Sequence, residues 1–418
     1  MRDQAGYVEL IRNNANFRRL WAGQLVSLLG DWFNTIALYS LIASLTGSPL
    51  AMGGVFLFKM VPWALASPVA GLLVDRFNRR QIMIVADLLR AVAVLGFLLV
   101  DRAEHVPLAY LLIALQVIIG SVFDPAKSAS LPNITSPREL ITANALSSAS
   151  WSVMLAIGAG VGGLATEWLG IRAVFLIDSA TYLVSAYFIY RTRIPQQTGP
   201  AGRGSPLGAA YRQFTDGWGY LLSRPQIGRI ALAKTAWAVG GGATVYMLTL
   251  LGQQLFPGTQ AAGMGALFFA RGIGTGIGPV LARNLFVDQK RWPAVLGVCI
   301  SLSGLSYLTI GFHAWPIGAM LAVGCAHAAS GANWVFSTVL LQQRTIDAYR
   351  GRVFASEMLL VLGTESLSIL AASLMLEYGG FSLQTAFLVF ASLQVLSGLA
   401  WLQAVVPAER RGDAASHA

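Results

Sequence analysis

Gly71-Leu72-Leu73-Val74-Asp75-Arg76-Phe77-Asn78-Arg79-Arg80 ends an apolar run of about membrane-spanning length with one acid and three arginines. Charge packed so tightly behind such a run marks a short loop at a membrane face. The rest of the 418 residues agrees: 55% are apolar, only 11% are charged, and mean hydropathy is +0.61. A soluble chain of this length would carry about a quarter charged residues. The 44 glycines suit helices packed closely in lipid, where small residues let backbones approach. The composition therefore describes an all-α, multi-pass membrane protein.

Twelve transmembrane helices are expected, at residues 20–43, 51–74, 81–100, 107–125, 142–166, 172–190, 228–251, 262–283, 293–311, 316–338, 354–376 and 382–404. The first is too long, and carries Asp31 too deeply, to read as a cleavable signal. Of the 29 Lys and Arg, Lys59, Arg90, Lys234 and Arg271 lie within spans. Only Arg102 and Arg172 fall outside when the N-terminus is cytoplasmic, leaving 23 on the inner side. The +10 net charge is thus topogenic, sets both termini in the cytoplasm of a cell inner membrane, and argues against nucleic acid as a partner. Residues 191–227 form the longest polar interval: a Gly- and Pro-rich start is followed by Leu207, Tyr211, Phe214, Trp218 and Leu222 at spacings of three or four. That spacing predicts a helix lying along the membrane surface. The expected layout is a cytoplasmic segment 1–19, a six-helix bundle 20–190, this linker, a second six-helix bundle 228–404 and a tail 405–418. Gly71 with Arg76 and Gly278 with Arg283 share a five-residue spacing at the ends of helices 2 and 8. They form a weak repeat in which Ala282 stands where Asp75 does.

The Gly71–Arg80 loop resembles the signature between helices 2 and 3 of the major facilitator superfamily, matching at Gly71, Leu73, Asp75, Arg76, Arg79 and Arg80. Asn78 replaces that pattern's second glycine, a change expected to be mild because Asn tolerates left-handed backbone. Phe17-Arg18-Arg19-Leu20-Trp21, Gly30-Asp31, the segment Phe123–Asn133, Ala143-Asn144-Ala145-Leu146 and Arg350-Gly351-Arg352-Val353-Phe354 resemble the efflux branch that contains the enterobactin and macrolide-type exporters. Gly158–Gly163 resembles the glycine-rich antiporter motif, with Ala159 where proline is usual. The resemblance implies two pseudo-symmetric six-helix bundles, a cavity lined by helices 1, 4, 7 and 10, and export of a drug-like molecule or siderophore by proton-coupled alternating access. It also implies a conformational gate at Gly71, Asp75, Arg76, Arg79, Arg80 and Asp124. There Asp75 would face the N-terminus of helix 11 at Arg352–Ser356, and Arg79 would bridge Asp75 and Asp124. The plainer alternative for these arginines is orientation by charge alone.

Polar residues inside spans are costly and so become the functional candidates. Gln24, Ser27, Asp31 and Asn34 share one face of helix 1, and Asp31 lies about 16–18 Å from either end of its span. Asp31 is expected to carry protons or contact substrate; the alternative is a salt bridge with Lys59. Glu365 on helix 11, with Thr364 and Ser368 beside it, is a second proton candidate, its alternative being a pair with Arg271, which could equally hold an anionic substrate. His327 is a third, unless it is a hydrogen-bonded packing residue. The cavity candidates are Gln24, Asp31, Asn34, Gln116, Trp237, Tyr246, Arg271, His327 and Asn333. Lys234 is expected to snorkel to the membrane face. Asp87 with Arg90, and Asp178 with Tyr182, read as structural pairs.

No Walker sequence, zinc-protease motif, paired CxxC or nucleophile elbow occurs, and the Gly272–Gly278 run lies inside a span. Cys299 and Cys325 also lie within spans. The chain is expected not to be an enzyme, to need no cofactor or metal, and to work as a monomer in contact with small-molecule substrate, protons and membrane lipid. Its expected rivals are a lysophospholipid transporter, suggested by Pro125-Ala126-Lys127 and Ala143-Asn144, and a non-transporting membrane sensor.

Overall fold

The computed structural model describes residues 5–195 and 206–415, the side chains of 72, 75, 206–214, 348 and 412–415 excepted. Among the described residues fifteen α-helices follow one another: α1 Tyr7–Asn13, α2 Ala15–Thr46, α3 Pro49–Arg76, α4 Arg79–Leu95, α5 Val106–Gly120, α6 Phe123–Ile134, α7 Leu140–Leu169, α8 Ile171–Tyr190, α9 Pro206–Ser223, α10 Pro225–Leu255, α11 Gln260–Leu285, α12 Trp292–Phe312, α13 Pro316–Arg344, α14 Asp347–Tyr378 and α15 Leu383–Ala415. Among the described residues, ten helical segments are long and apolar enough to cross a membrane. The remaining two of the expected twelve, α10 and α13, span 31 and 29 residues but hold polar groups such as Lys234, His327 and Asn333 along their length. Those groups dilute the apolar signal of helices that are otherwise long enough.

Helix ends follow local chemistry. Asn14 caps α2 by accepting from Phe17 N at 2.9 Å, and Gly47 ends it at a left-handed φ of 59°. Asn78 corrects an expectation: its φ is −66°, not left-handed, and its side chain accepts from Gln81 N at 3.1 Å to cap α4. The asparagine therefore stands at the loop as a helix cap, a role glycine fills without a side-chain acceptor.

Contacts divide the chain into two compact units. The first comprises residues 1–47, 58–207 and 259–265; the second comprises 48–57, 208–258 and 266–418. In the first, α2 packs on α7 and α8, and α4 on α8; in the second, α10 packs on α14 and α15, and α12 on α15. The two units repeat one pairing scheme, which the sequence signalled only through its glycine–arginine spacing. Two close approaches fix it. A methyl on Gly30 of α2 would strike Thr181 and Asp178 of α8, and one on Gly242 of α10 would stand 2.8–3.2 Å from backbone atoms of Glu365 on α14.

Exposure is inverted relative to a soluble protein. On α4, Val85, Leu88, Leu89, Val92 and Leu95 are exposed while Asp87 and Arg90 are buried. Lipid accepts the apolar side, so the charges turn inward. On α9 the packed residues are Gly217, Tyr220 and Leu221; Tyr220 stacks on Tyr349 at 4.4 Å, and Leu222 is 77% exposed. Of the expected stripe, Trp218 is half-buried and Leu222 exposed, while the neighbouring face of the helix packs on α14 within its own unit. Leu207, Tyr211 and Phe214 of that stripe lie outside the described side chains.

Candidate transport sites

In the first unit a hydrogen-bonded chain runs across three helices. Asn34 Nδ2 of α2 donates to Gln116 Oε1 of α5 at 3.1 Å, and Gln116 Nε2 donates to the Tyr182 hydroxyl of α8 at 2.9 Å. Tyr182 in turn donates to Asp31 Oδ1, returning the chain to α2. Asn34, Gln116 and Tyr182 are buried, and Asp31 is half-buried. Because a phenol has one proton, Tyr182 commits it to Asp31 while accepting from Gln116. The Arg90 guanidinium lies 4.4 Å over the Tyr182 ring and 4.9 Å over Phe123, and it pairs with Asp87. Asp178 accepts from Thr181 Oγ1 at 3.3 Å, and its Oδ2 is buried without a hydrogen-bond partner. Gln24 is buried on the same face of α2.

The expected alternative for Asp31, a salt bridge to Lys59, is not formed among the described residues. Lys59 Nζ donates to Thr35 Oγ1 at 2.6 Å, and Thr35 donates to the Asp31 carbonyl at 2.7 Å. Thr35 sits one turn beyond Asp31 and intercepts the ammonium. Tyr182 was read from sequence only as a structural partner of Asp178. Its place one turn after a buried acid was the available signal, but the partner it serves lies 151 positions away.

In the second unit Lys234 of α10 does not snorkel. Its side chain is 3% exposed, it pairs with Glu357 of α14 at 3.0 Å, it donates to Thr338 at 2.9 Å, and it lies 4.7 Å over the Trp334 ring. A buried acid and an aromatic face hold the ammonium better than the stem could carry it to water. His327 uses both ring nitrogens, Nε2 with the Tyr307 hydroxyl at 2.8 Å and Nδ1 with Ser330 at 3.2 Å, and it lies edge-on to Trp237. That arrangement is the packing alternative. Trp237 donates to Ser303 at 3.3 Å. The Arg271 guanidinium lies 5.6 Å from the Phe268 ring centroid. Glu365 is half-buried beside Ser368, which bonds Val239 O at 2.8 Å and Ala243 N at 3.2 Å. Asn333 is buried, with Oδ1 unpartnered. Tyr246 is fully buried with its hydroxyl on Pro49 O at 2.7 Å, so it is a packing residue in this structure.

At the expected gate, Arg79 donates to Ala129 O at 2.7 Å and Asn133 Oδ1 at 3.1 Å, tying α4 to α6. It does not bridge to Asp124. That acid is 78% exposed and satisfied by Lys127 three residues on, at 2.6 Å. Arg76 is exposed, and a methyl on Gly71 would meet nothing within 4 Å. The Asp75 side chain lies outside the described residues. Arg352, its expected neighbourhood, pairs with Asp216 at 3.4 Å.

Paired six-helix repeats with charges turned inward define a multi-pass membrane carrier rather than an enzyme. The chain matches the profile of the Major Facilitator Superfamily over residues 20–356 and belongs to that superfamily. It is 26% identical over 347 residues to macrolide efflux protein A of Streptococcus pyogenes, covering 81% of this chain and 84% of that one. It is 25% identical over 350 residues to the putative bacilysin exporter BacE of Bacillus subtilis, covering 81% and 83%. The solved structure of a POT family transporter, PepTSo, superposes with a TM-score of 0.72 at 12% identity, covering 96% of this chain and 98% of that one. The bacterial homologue of the lysosomal transporter Spinster gives 0.69 at 17%, covering 94% and 95%. The protein is thus a membrane transporter of small molecules, with relatives of the efflux type.

Proposed function

We propose that the protein exports a small amphipathic organic molecule, drug-like or siderophore-like, in exchange for protons. It works as a monomer by alternating access in a bacterial inner membrane, with both termini cytoplasmic. Relatives named for macrolide and bacilysin export support the direction and substrate class. The observation that carries the proton part is the chain Asn34–Gln116–Tyr182 ending on half-buried Asp31. A hydrogen bond to a carboxylate is about twice as strong as one to a neutral acceptor. Protonating Asp31 therefore loosens Tyr182, and through Gln116 the change reaches α2, α5 and α8 together. Glu365, half-buried on α14 beside Ser368, is the corresponding group of the second unit. Arg271 offers its guanidinium to an anionic part of the substrate, and Asn333 Oδ1 an acceptor. His327 orients Tyr307 and Trp237 and carries no proton in the cycle.

The test is flux in proteoliposomes with an imposed pH gradient, against a panel of macrolides, dipeptide antibiotics, siderophores and lysophospholipids. Drug or siderophore movement that collapses with a protonophore, and that Asp31→Asn uncouples from the gradient, is the expected result. Protonophore-insensitive export would sink the antiport mechanism, and lysophospholipid movement alone would replace the substrate class.

A further inference from the structure

One end of the first unit holds a basic cup. Arg19, the fifth residue of α2, donates to the carbonyl of Arg191 just past α8 at 2.8 Å. Arg80, the second residue of α4, donates to Ile189 O at 3.3 Å and to Tyr190 O, and its guanidinium stacks 5.0 Å over the Tyr190 ring. These arginines, with Arg191, exposed Arg193, Asn78 and Tyr190, line a cavity of about 580 Å³. No carboxylate lines it among the described residues. Carbonyls at the end of α8 pin Arg19 and Arg80, so two of the four guanidiniums are held in place before any ligand arrives.

The second unit supplies the comparison. Arg229 is likewise the fifth residue of its first spanning helix, α10, and it too reaches the end of its unit's last helix. There it meets Glu409, 6% exposed, which accepts from Arg229 at 2.8 Å and from Arg344 at 2.5 Å. In one repeat the chain provides its own anion at this corner; in the other, arginines stand where that anion would be.

We propose that the first-unit cup binds the phosphate-bearing headgroup of an anionic phospholipid. Guanidinium groups match phosphate oxygens with paired N–H donors. Lipid is favoured over free phosphate by the outward face of α8. Leu176, Leu183, Tyr187 and Tyr190 are all exposed, are spaced by seven, four and three, and run along the span toward the cup as a bed for acyl chains. Arg191 joins that bed to the cup, donating to the Tyr187 hydroxyl at 3.1 Å. The distribution of Lys and Arg puts this end in the cytoplasmic leaflet, where anionic lipids attract basic clusters.

The test uses the full-length protein, delipidated in detergent and titrated with short-chain phosphatidylglycerol, short-chain phosphatidylcholine or inorganic phosphate. Melting temperature and lipid count by native mass spectrometry are the readouts. Phosphatidylglycerol is expected to bind and raise the melting temperature where phosphatidylcholine does not. Arg191→Gln/Arg193→Gln should weaken it about 25-fold, roughly fivefold per arginine. Arg193→Glu, which gives the cup an acid as Glu409 does for its counterpart, should abolish it. Arg229→Gln should leave it unchanged. Equal protection by phosphatidylcholine, or a double-variant affinity within twofold of the parent, overturns the proposal. Inorganic phosphate saturating the effect at equal concentration overturns the lipid assignment in favour of a soluble anion.

Discussion

Replacing Glu357 with Gln removes the carboxylate that faces Lys234 at 3.0 Å, where the two side chains are 1% and 3% exposed. At an effective dielectric of about 20 the attraction of such a pair is roughly 5–6 kcal/mol before desolvation is counted. Breaking one partner of a buried pair costs about 3–5 kcal/mol, because the remaining charge is left unmatched. Lys234 keeps the Thr338 hydroxyl and the Trp334 face, which puts the expected loss near the lower end. At about 2–4 °C per kcal/mol, a loss of ~3 kcal/mol lowers the melting temperature by about 6–12 °C. Removing both charges together, as Lys234→Met/Glu357→Leu, should restore most of that loss, since a well-packed apolar pair often replaces a buried ion pair without penalty. Tryptophan-fluorescence melts of the purified protein in detergent measure all three forms. A Glu357→Gln melt within ~2 °C of the parent, or a double variant less stable than the single one, would refute the assignment of Lys234 as a buried, charge-paired residue.

Further outcomes follow from other contacts. Tyr182→Phe leaves the Gln116 donor and the Asp31 acceptor unmatched, a loss of about 1.5–3 kcal/mol in the chain; gradient-driven flux should fall at least tenfold while substrate binding, measured by equilibrium dialysis, persists. Gly242→Leu drives a side chain into the Glu365 backbone and should cost more than about 3 kcal/mol, seen as loss of monodisperse protein on size exclusion. Asp124→Asn should change stability by less than about 0.5 kcal/mol because that acid is mostly exposed, whereas Arg79→Gln, losing its bonds to Ala129 and Asn133, should cost about 1–2 kcal/mol. Equal melting temperatures for those last two variants would contradict the observed tie between α4 and α6.

The spans were legible in the sequence because a helix in lipid must satisfy its own backbone and turn apolar side chains outward, and both demands are written in contiguous residues. The same holds for contacts closed within one turn: Asp87 with Arg90 was readable as a pair, and the structure forms it. Asp31, Asn34 and Gln116 were also legible as inward-facing polar groups, since lipid tolerates few such residues. Their partners were not. Whether Asp31 meets Lys59 or Tyr182, and whether Lys234 reaches water or Glu357, depends on which helix faces which and at what height. Hydropathy is blind to both. Glu357 lies 123 positions beyond Lys234, and α10 and α14 come together closely where Gly242 lets their backbones approach. The amino-acid order by itself thus determined which residues leave the lipid. Helix packing, through small-residue contacts between segments remote in the chain, decided which of them neutralise one another and which are left to do chemistry.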